Sequence, residues 1–346
     1  MANAFNATIE DNKRRRLAAL HHEWHHSGTF CLGQKLAPLV MLLGCQRCGT
    51  SALHEDLMQH VQGARRGHSL HGEPEYYARE QHFFATDSWS QGVHHYLEHF
   101  PPCPPEKVAK SDFSFTTDAT PAYLRKPIVA TRVKEVYPSM AQPHLKFVII
   151  LRDPVKRLYG YWDTFVQKGP GAHDFNTWVD NTLAKVSACQ KQHGSALWPP
   201  PDEGRCDEDT IEGVAAGLYS YQLSYWIKAF SPNQFFITSL DAYERDKARV
   251  LSDCATFVGA SRDLIGNARA IGSADTQGFK VEVCWGVGRL RSSLLPDYYS
   301  LLTLLTLLPL RSPLCAHRSL FRSQWLAGRR VVGQPAAQAR RVLPPA

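Results

Sequence analysis

The sequence predicts an α/β fold: three layers, with a central parallel sheet flanked by helices. Three observations carry this expectation. Leu39-Val40-Met41-Leu42-Leu43 is an apolar run of strand length, followed by a glycine-bounded turn and then by Leu53, Leu57 and Val61 at helical spacing. Phe147-Val148-Ile149-Ile150-Leu151 is a second continuous apolar run, followed by Val155, Leu158, Tyr159 and Trp162 in a helical pattern. Phe235-Phe236-Ile237-Thr238 leads in the same way into a helix from Tyr243 to Val258. Continuous apolar runs belong to strands buried on both faces, and strands that alternate with helices pair in parallel.

A chain of 346 residues suits one large α/β domain or two small ones. The apolar fraction of 44% and charged fraction of 21% are those of a globular protein. A net charge of +7 favours an anionic partner, such as a nucleotide or a sulfated or carboxylated glycan, although part of it comes from the C-terminal tail. No Lys/Arg run carries interleaved aromatics, so nucleic acid is not expected. Lys13-Arg14-Arg15-Arg16 has no apolar stretch behind it, so no secretory signal is visible. The tract Tyr298 to Leu310 is shorter than the roughly 20 residues a spanning helix needs.

Residues 1–35 read as a polar leader, helical or poorly ordered. Its His21, His22, His25 and His26 read as solvated, because no carboxylate or cysteine cluster supports a metal site. The stretch Gly44-Cys45-Gln46-Arg47-Cys48-Gly49-Thr50-Ser51 then lies between strand and helix. Two glycines let the backbone curl, and free N–H groups at a helix start point at an anion. The spacing Gly-x4-Gly-Thr is P-loop-like, but Thr50 stands where a nucleotide triphosphatase needs Lys. Cys45 and Cys48 read as small residues at a tight turn, with a redox CxxC as the alternative.

Arg79-Glu80-Gln81-His82-Phe83-Phe84 places a carboxylate and an imidazole two residues apart. In an extended segment they share a face, and an apolar wall raises the carboxylate's pKa towards that of a useful base. The competing reading is a surface acid before a core Phe pair. Gln91 to Phe100 reads as a helix ended by Pro101-Pro102, and residues 128–137 as a helix stopped by Pro138. Between them, Asp118-Ala119-Thr120-Pro121-Ala122-Tyr123 is a proline-fixed turn of the kind that lines clefts. Arg152 sits at the C-terminal end of the second apolar strand, where open α/β sheets bind ligands, and its guanidinium matches a phosphate. The alternative is a helix-start ion pair with Asp153. Residues 169–212 form a Gly-, Pro- and charge-rich insert, whose Cys189 and Cys206 are expected to pair in an oxidising compartment. No second CxxC supports structural zinc. Gly217 to Trp226 is an aromatic-faced helix. Residues 286–346 are Leu/Arg-rich and read as foreign to the fold, as an altered splice or gene model would produce.

Taken together these motifs resemble the PAPS-dependent sulfotransferases, in their Golgi carbohydrate branch of heparan sulfate and chondroitin type. The resemblance covers about residues 36–280, which makes 36–285 the expected sulfotransferase domain. It implies sulfuryl transfer from 3′-phosphoadenylyl sulfate (PAPS) to a hydroxyl or amine of a glycosaminoglycan-like acceptor, leaving 3′-phosphoadenosine 5′-phosphate (PAP), with no metal. It implies that Arg47, Cys48, Gly49, Thr50, Ser51 and Ala52 hold the 5′-phosphosulfate, and that Arg152 and Gly160 line the 3′-phosphate. Glu80 would be the base and His82 would orient the acceptor; Asp118, Thr120, Pro121 and Tyr123 would line its cleft. It also implies Golgi residence, with membrane attachment only through an anchor that this sequence does not display. Four departures stand out. Arg47 replaces the family's loop Lys, Gly160 its Ser, and Ala119 the Lys of heparan sulfate 3-O-transferases, while no cofactor-covering loop follows Gly278-Phe279. A catalytically weakened binding relative and a P-loop phosphotransferase are the competing readings.

Overall fold

The structure is a computed structural model of the chain, and it describes residues 22–24, 29–105, 113–169, 174–193 and 213–260. The chain divides into two units, Met1–Phe279 and Lys280–Ala346, and every described residue belongs to the first. The tail, Cys206 and the segment after Gly278-Phe279 lie outside the described residues.

Strands β1 (His22–Trp24), β2 (Phe30–Leu32) and β3 (Lys35–Leu36) form a small antiparallel sheet. Strands β4 (Val40–Gly44), β5 (Thr117–Asp118), β6 (Lys146–Leu151) and β7 (Phe235–Ser239) form the central one, in the order β5-β4-β6-β7. All its pairings are parallel: Val40 lies opposite Thr117 and Lys146, and Phe147 opposite Phe235. The helices are α1 (Thr50–His60), α2 (Val93–Glu98), α3 (Pro127–Val136), α4 (Pro154–Tyr161), α5 (Phe175–His193), α6 (Tyr219–Ala229), α7 (Leu240–Arg245) and α8 (Lys247–Val258).

Side-chain alternation in β6 and β7 produces the layers. Phe147 and Phe235 point to one face, where Phe147 meets Trp226 at 5.1 Å and Phe230 at 4.6 Å between ring centroids, at and just beyond the end of α6. Phe236 points to the other face and meets Phe257 of α8 at 5.7 Å. Met41 to Leu43 and Phe147 to Ile150 are at most 1% exposed, as strands covered on both faces should be. Truncating a ring such as Phe147 to Ala would cost about 3–5 kcal/mol. The continuous helix expected over Tyr243 to Val258 is instead two. Asp246 breaks it and caps α8, its carboxylate accepting from the Arg249 N–H at 3.1 Å.

The N-terminal segment departs from the polar-leader expectation. Phe30, Cys31, Leu32 and Leu36 are buried, the Leu36 N–H donates to the Pro101 carbonyl at 2.9 Å, and a disulfide joins Cys31 to Cys103. Strands of two and three residues are too short to print a period on the sequence. The insert holds the 19-residue α5, and Cys189 within it is disulfide-bonded.

Candidate functional site

Parallel pairing brings the C-terminal ends of the four central strands to one edge of the sheet. There β4 runs into the loop 45–49, β5 into Ala119, β6 into Arg152 and β7 into α7. The Cys45 N–H donates to the Ile150 carbonyl at 2.8 Å, which fastens the loop to the end of β6.

The loop is built to leave donors free. Gly49, at φ 91°, is the N-cap of α1 and offers no side-chain oxygen; the first turn holds no acidic residue. The N-terminal amides of α1 and its partial positive charge are therefore available to an anion. Ser51 and Ala52 are exposed in that turn, while Thr50 and Cys48 are buried. A Cβ at Gly49 would lie 2.8 Å from Leu240 Cδ1, so only glycine fits this bend. Cys45 and Cys48 form a disulfide inside the loop, which corrects their reading as merely small residues. The Tyr219 hydroxyl lies 3.4 Å from Cys45 Sγ and 3.8 Å from Cys48 Sγ, and donates to the Arg152 carbonyl at 2.9 Å. Burial pushes that phenol up to about 12, so it stays a donor across the physiological range. Sequence reading placed Tyr219 on an aromatic-faced helix with no site role; the i, i+3 cysteine spacing was the visible signal for what it packs against.

Three positions far apart in sequence converge beside this loop. Arg47, exposed and at φ 66°, offers its carbonyl to Arg152 Nη1 at 3.3 Å. A Cβ on Gly160 would lie 3.2 Å from Arg152 Nη1, 3.7 Å from Arg47 Cβ and 3.8 Å from Arg47 Nε. Asp153 does not form the helix-start ion pair that was the alternative reading of Arg152. Its carboxylate caps α4 through the Val155 and Lys156 N–H groups at 3.0 and 2.9 Å. Two guanidinium groups and a free helix N-terminus thus lie beside one another at the sheet edge, chemistry suited to a ligand with two phosphate groups.

Glu80 and His82 do come together, but not through an extended segment. Residues Glu75–Ala78 form a 3₁₀ turn, and His82 takes the left-handed conformation at φ 54°. Glu80 Oε2 lies 3.6 Å from His82 Nε2, while Oε1 accepts from Arg79 Nε at 3.2 Å and Nη2 at 2.9 Å. The expected rise in the Glu80 pKa is not found. Burial acts in that direction, but hydrogen bonds and charge from His82 and Arg79 outweigh it and hold the carboxyl below its ordinary range. Arg79, given no role from sequence, joins His82 in holding the candidate base ionised.

The turn 118–124 joins the two clusters. The His82 N–H donates to Thr120 Oγ1 at 3.0 Å and the Ala119 N–H to the Arg79 carbonyl at 2.9 Å. On its other side, the Leu124 N–H donates to the Leu43 carbonyl at 2.8 Å, and a Cβ on Gly44 would lie 2.8 Å from the Pro121 carbonyl oxygen. Asp118, Thr120 and Tyr123 are fully buried. The Asp118 carboxylate accepts from Thr120 Oγ1 at 2.7 Å, Tyr123 at 2.8 Å and Tyr96 at 3.1 Å. These three residues therefore hold the wall in shape rather than facing an acceptor, which differs from their expected role as cleft lining.

Comparison with known proteins agrees with this architecture. The family model "Sulfotransferase domain" matches residues 37–273, and the chain belongs to that family. Sulfotransferases of this family use PAPS as donor. Among curated relatives, the bifunctional heparan sulfate N-deacetylase/N-sulfotransferase 4 of Mus musculus is 25% identical over 229 residues, 65% of this chain and 22% of that protein. The human heparan sulfate glucosamine 3-O-sulfotransferase 6 is 24% identical over 239 residues, 69% of this chain and 55% of that protein. Carbohydrate sulfotransferase 15 of Mus musculus is 30% identical over 100 residues, 29% of this chain and 18% of that protein. The chain thus spans about half or less of the length of these relatives.

Proposed function

We propose that the chain transfers a sulfuryl group from PAPS to a hydroxyl or amine of a glycosaminoglycan-like glycan. The convergence of Arg47, Arg152 and Gly160 beside the uncapped start of α1 carries this reading. When bound, the donor supplies a sulfuryl group activated by its anhydride link to phosphate. Thr50, Ser51 and the amides of the α1 start take the 5′-phosphate side, and Arg152 takes the 3′-phosphate that sets PAPS apart from ATP. The Arg47 guanidinium balances charge developing on the leaving oxygen, as fixed electrostatic stabilisation. Glu80, ionised at neutral pH, accepts the proton of the attacking acceptor group, and His82 orients that group. The transfer is in line and calls on no metal. Family resemblance supports a Golgi location; no helix among the described residues is long and apolar enough to cross a membrane.

The competing reading, a relative that binds nucleotide and glycan but turns over poorly, has one observation in its favour. Arg47 cannot donate a proton to the leaving group, because guanidinium stays protonated. Binding of PAP measured beside ATP, followed by transfer of labelled sulfate to a glycan panel, separates the readings. PAP preference with transfer is the expected result. PAP binding without transfer favours the weakened relative, and ATP preference overturns both in favour of a phosphotransferase.

A further inference from the structure

Behind the Glu80 segment lies a cluster that the transfer reaction does not use. Glu73 sits just before the 3₁₀ turn, His95 on α2 and His99 one helical turn further on. One ligand atom from each lies within 4.8 Å of the others. Glu73 Oε2 is 2.8 Å from His99 Nε2, and Glu73 Oε1 is 3.9 Å from His95 Nε2. Ligands of a tetrahedral ion with bonds near 2.0–2.2 Å stand roughly 3.3 Å apart, so small side-chain movements close this set around a cation.

The hydrogen bonding of His99 points the same way. Its Nδ1 lies 3.2 Å from the His95 carbonyl oxygen and 3.3 Å from that of Tyr96, and carbonyl oxygens only accept. Nδ1 is therefore the donor to these carbonyls, which turns Nε2, with its lone pair in that tautomer, towards Glu73. That nitrogen faces a carboxylate oxygen at 2.8 Å, with the His99 side chain only 3% exposed. A contact of 2.8 Å is hydrogen-bond length, so a bound ion would displace the proton shared there as the two ligands part to roughly 3.3 Å. The surroundings are those of an ordered ligand set. The Leu70 N–H donates to Glu73 Oε2 at 2.9 Å, and the Tyr77 ring stacks on His99 at 6.2 Å. Outer partners of this kind fix ring orientation and tautomer in metal sites.

We propose that Glu73, His95 and His99 bind a divalent cation of the zinc class, with a water completing the coordination on the half-exposed side. Two imidazoles and one carboxylate favour zinc over magnesium or calcium, which prefer all-oxygen sets. The ion does not react; it clamps the segment that carries Glu80 onto α2. Tyr77 transmits the clamp, because its ring packs on His99 and lies 6.1 Å from that of His82.

The full chain, stripped with a chelator, would be titrated with Zn²⁺ alone by calorimetry, with metal content and melting temperature measured in parallel. A variant with His21, His22, His25 and His26 all changed to Ala removes the other histidine cluster as a competing site. One equivalent should bind that variant and raise its melting temperature. His95→Ala, a half-exposed position whose loss leaves the apo fold intact, should weaken Zn²⁺ binding at least tenfold and abolish the thermal shift. Zn²⁺ binding that follows the leader histidines and ignores His95→Ala overturns the proposal, as does the absence of stoichiometric binding by folded wild-type chain.

Discussion

Replacing Glu80 by Gln isolates the proton-accepting role from everything else at the site. The substitution keeps the shape of the side chain and keeps an oxygen facing Arg79, which donates to Oε1 from both Nε and Nη2. What disappears is a charge shared between two partly buried partners, 16% exposed for Glu80 and 25% for Arg79. Converting such a contact from ionic to neutral costs about 1 kcal/mol of stability. Losing a general base costs about 10²–10⁴ in rate, or about 3–5 kcal/mol of barrier at 1.36 kcal/mol per decade. Transfer should therefore collapse while folding and PAP affinity barely move. The assay is labelled-sulfate transfer at saturating donor, beside PAP titration by calorimetry. If transfer falls by less than tenfold, Glu80 is not the base; if PAP affinity falls in step with transfer, Glu80 serves binding instead. The pH dependence follows from the same geometry. Glu80 has a folded pKa below the ordinary 4.5, so its contribution to stability is complete above that value and is lost as pH falls through the lower folded pKa. In wild type, the acid limb of transfer due to Glu80 should accordingly lie below 4.5.

Arg152→Met should weaken PAP by about 10- to 100-fold and leave adenosine 5′-phosphate nearly unaffected, because only the former has a 3′-phosphate; equal losses would remove Arg152 from that role. Gly160→Ser places a hydroxyl beside Arg152 Nη1, whose flexible end can yield at the 3.2 Å Cβ contact. PAP should bind about 2- to 10-fold tighter, and a weaker complex in calorimetry would count against the assignment of that wall. Gly49→Ala combines a φ of 91° with a 2.8 Å approach to Leu240 Cδ1, so urea unfolding should show a loss of about 2 kcal/mol or more. Reduction of Cys45–Cys48 by an excess dithiol frees the loop and should weaken PAP at least about fivefold, an effect that a Cys45→Ala/Cys48→Ala variant should no longer show on adding reductant. Unchanged wild-type affinity after confirmed reduction would sink that expectation.

Legibility from sequence tracked the range of the interactions involved. Central strands β4, β6 and β7 and helices α1, α3 and α4 were readable because continuous apolar runs and helical spacing are local consequences of two-sided and one-sided burial, whereas the two-residue β5, Thr117–Asp118, falls where a turn was expected. The strands before β4 were not, because Phe30, Leu32 and Leu36 earn their burial from a disulfide and from pairing with residues beyond position 100. At the site, Glu80 and His82 were readable as neighbours, but the sign of the Glu80 shift was not. It depends on His82 and the Arg79 side chain both turning onto the Glu80 carboxylate, in a segment whose backbone the turn 118–124 holds at the Arg79 carbonyl and the His82 N–H.

The sequence alone was enough to show a strand-loop-helix turn at residues 44–51, a cation at the end of another buried strand, and a carboxylate-imidazole pair. Each is a statement about residues within reach of one another along the chain. Only the three-dimensional arrangement could put Arg47, Arg152 and Gly160 on one wall and join that wall to Glu80 through a buried Asp118 hub. It alone paired the loop cysteines and brought Glu73 to His95 and His99. The physical reason is the parallel sheet. Aligning all strand ends at one edge gathers residues tens of positions apart, and no local pattern encodes which side chains then meet.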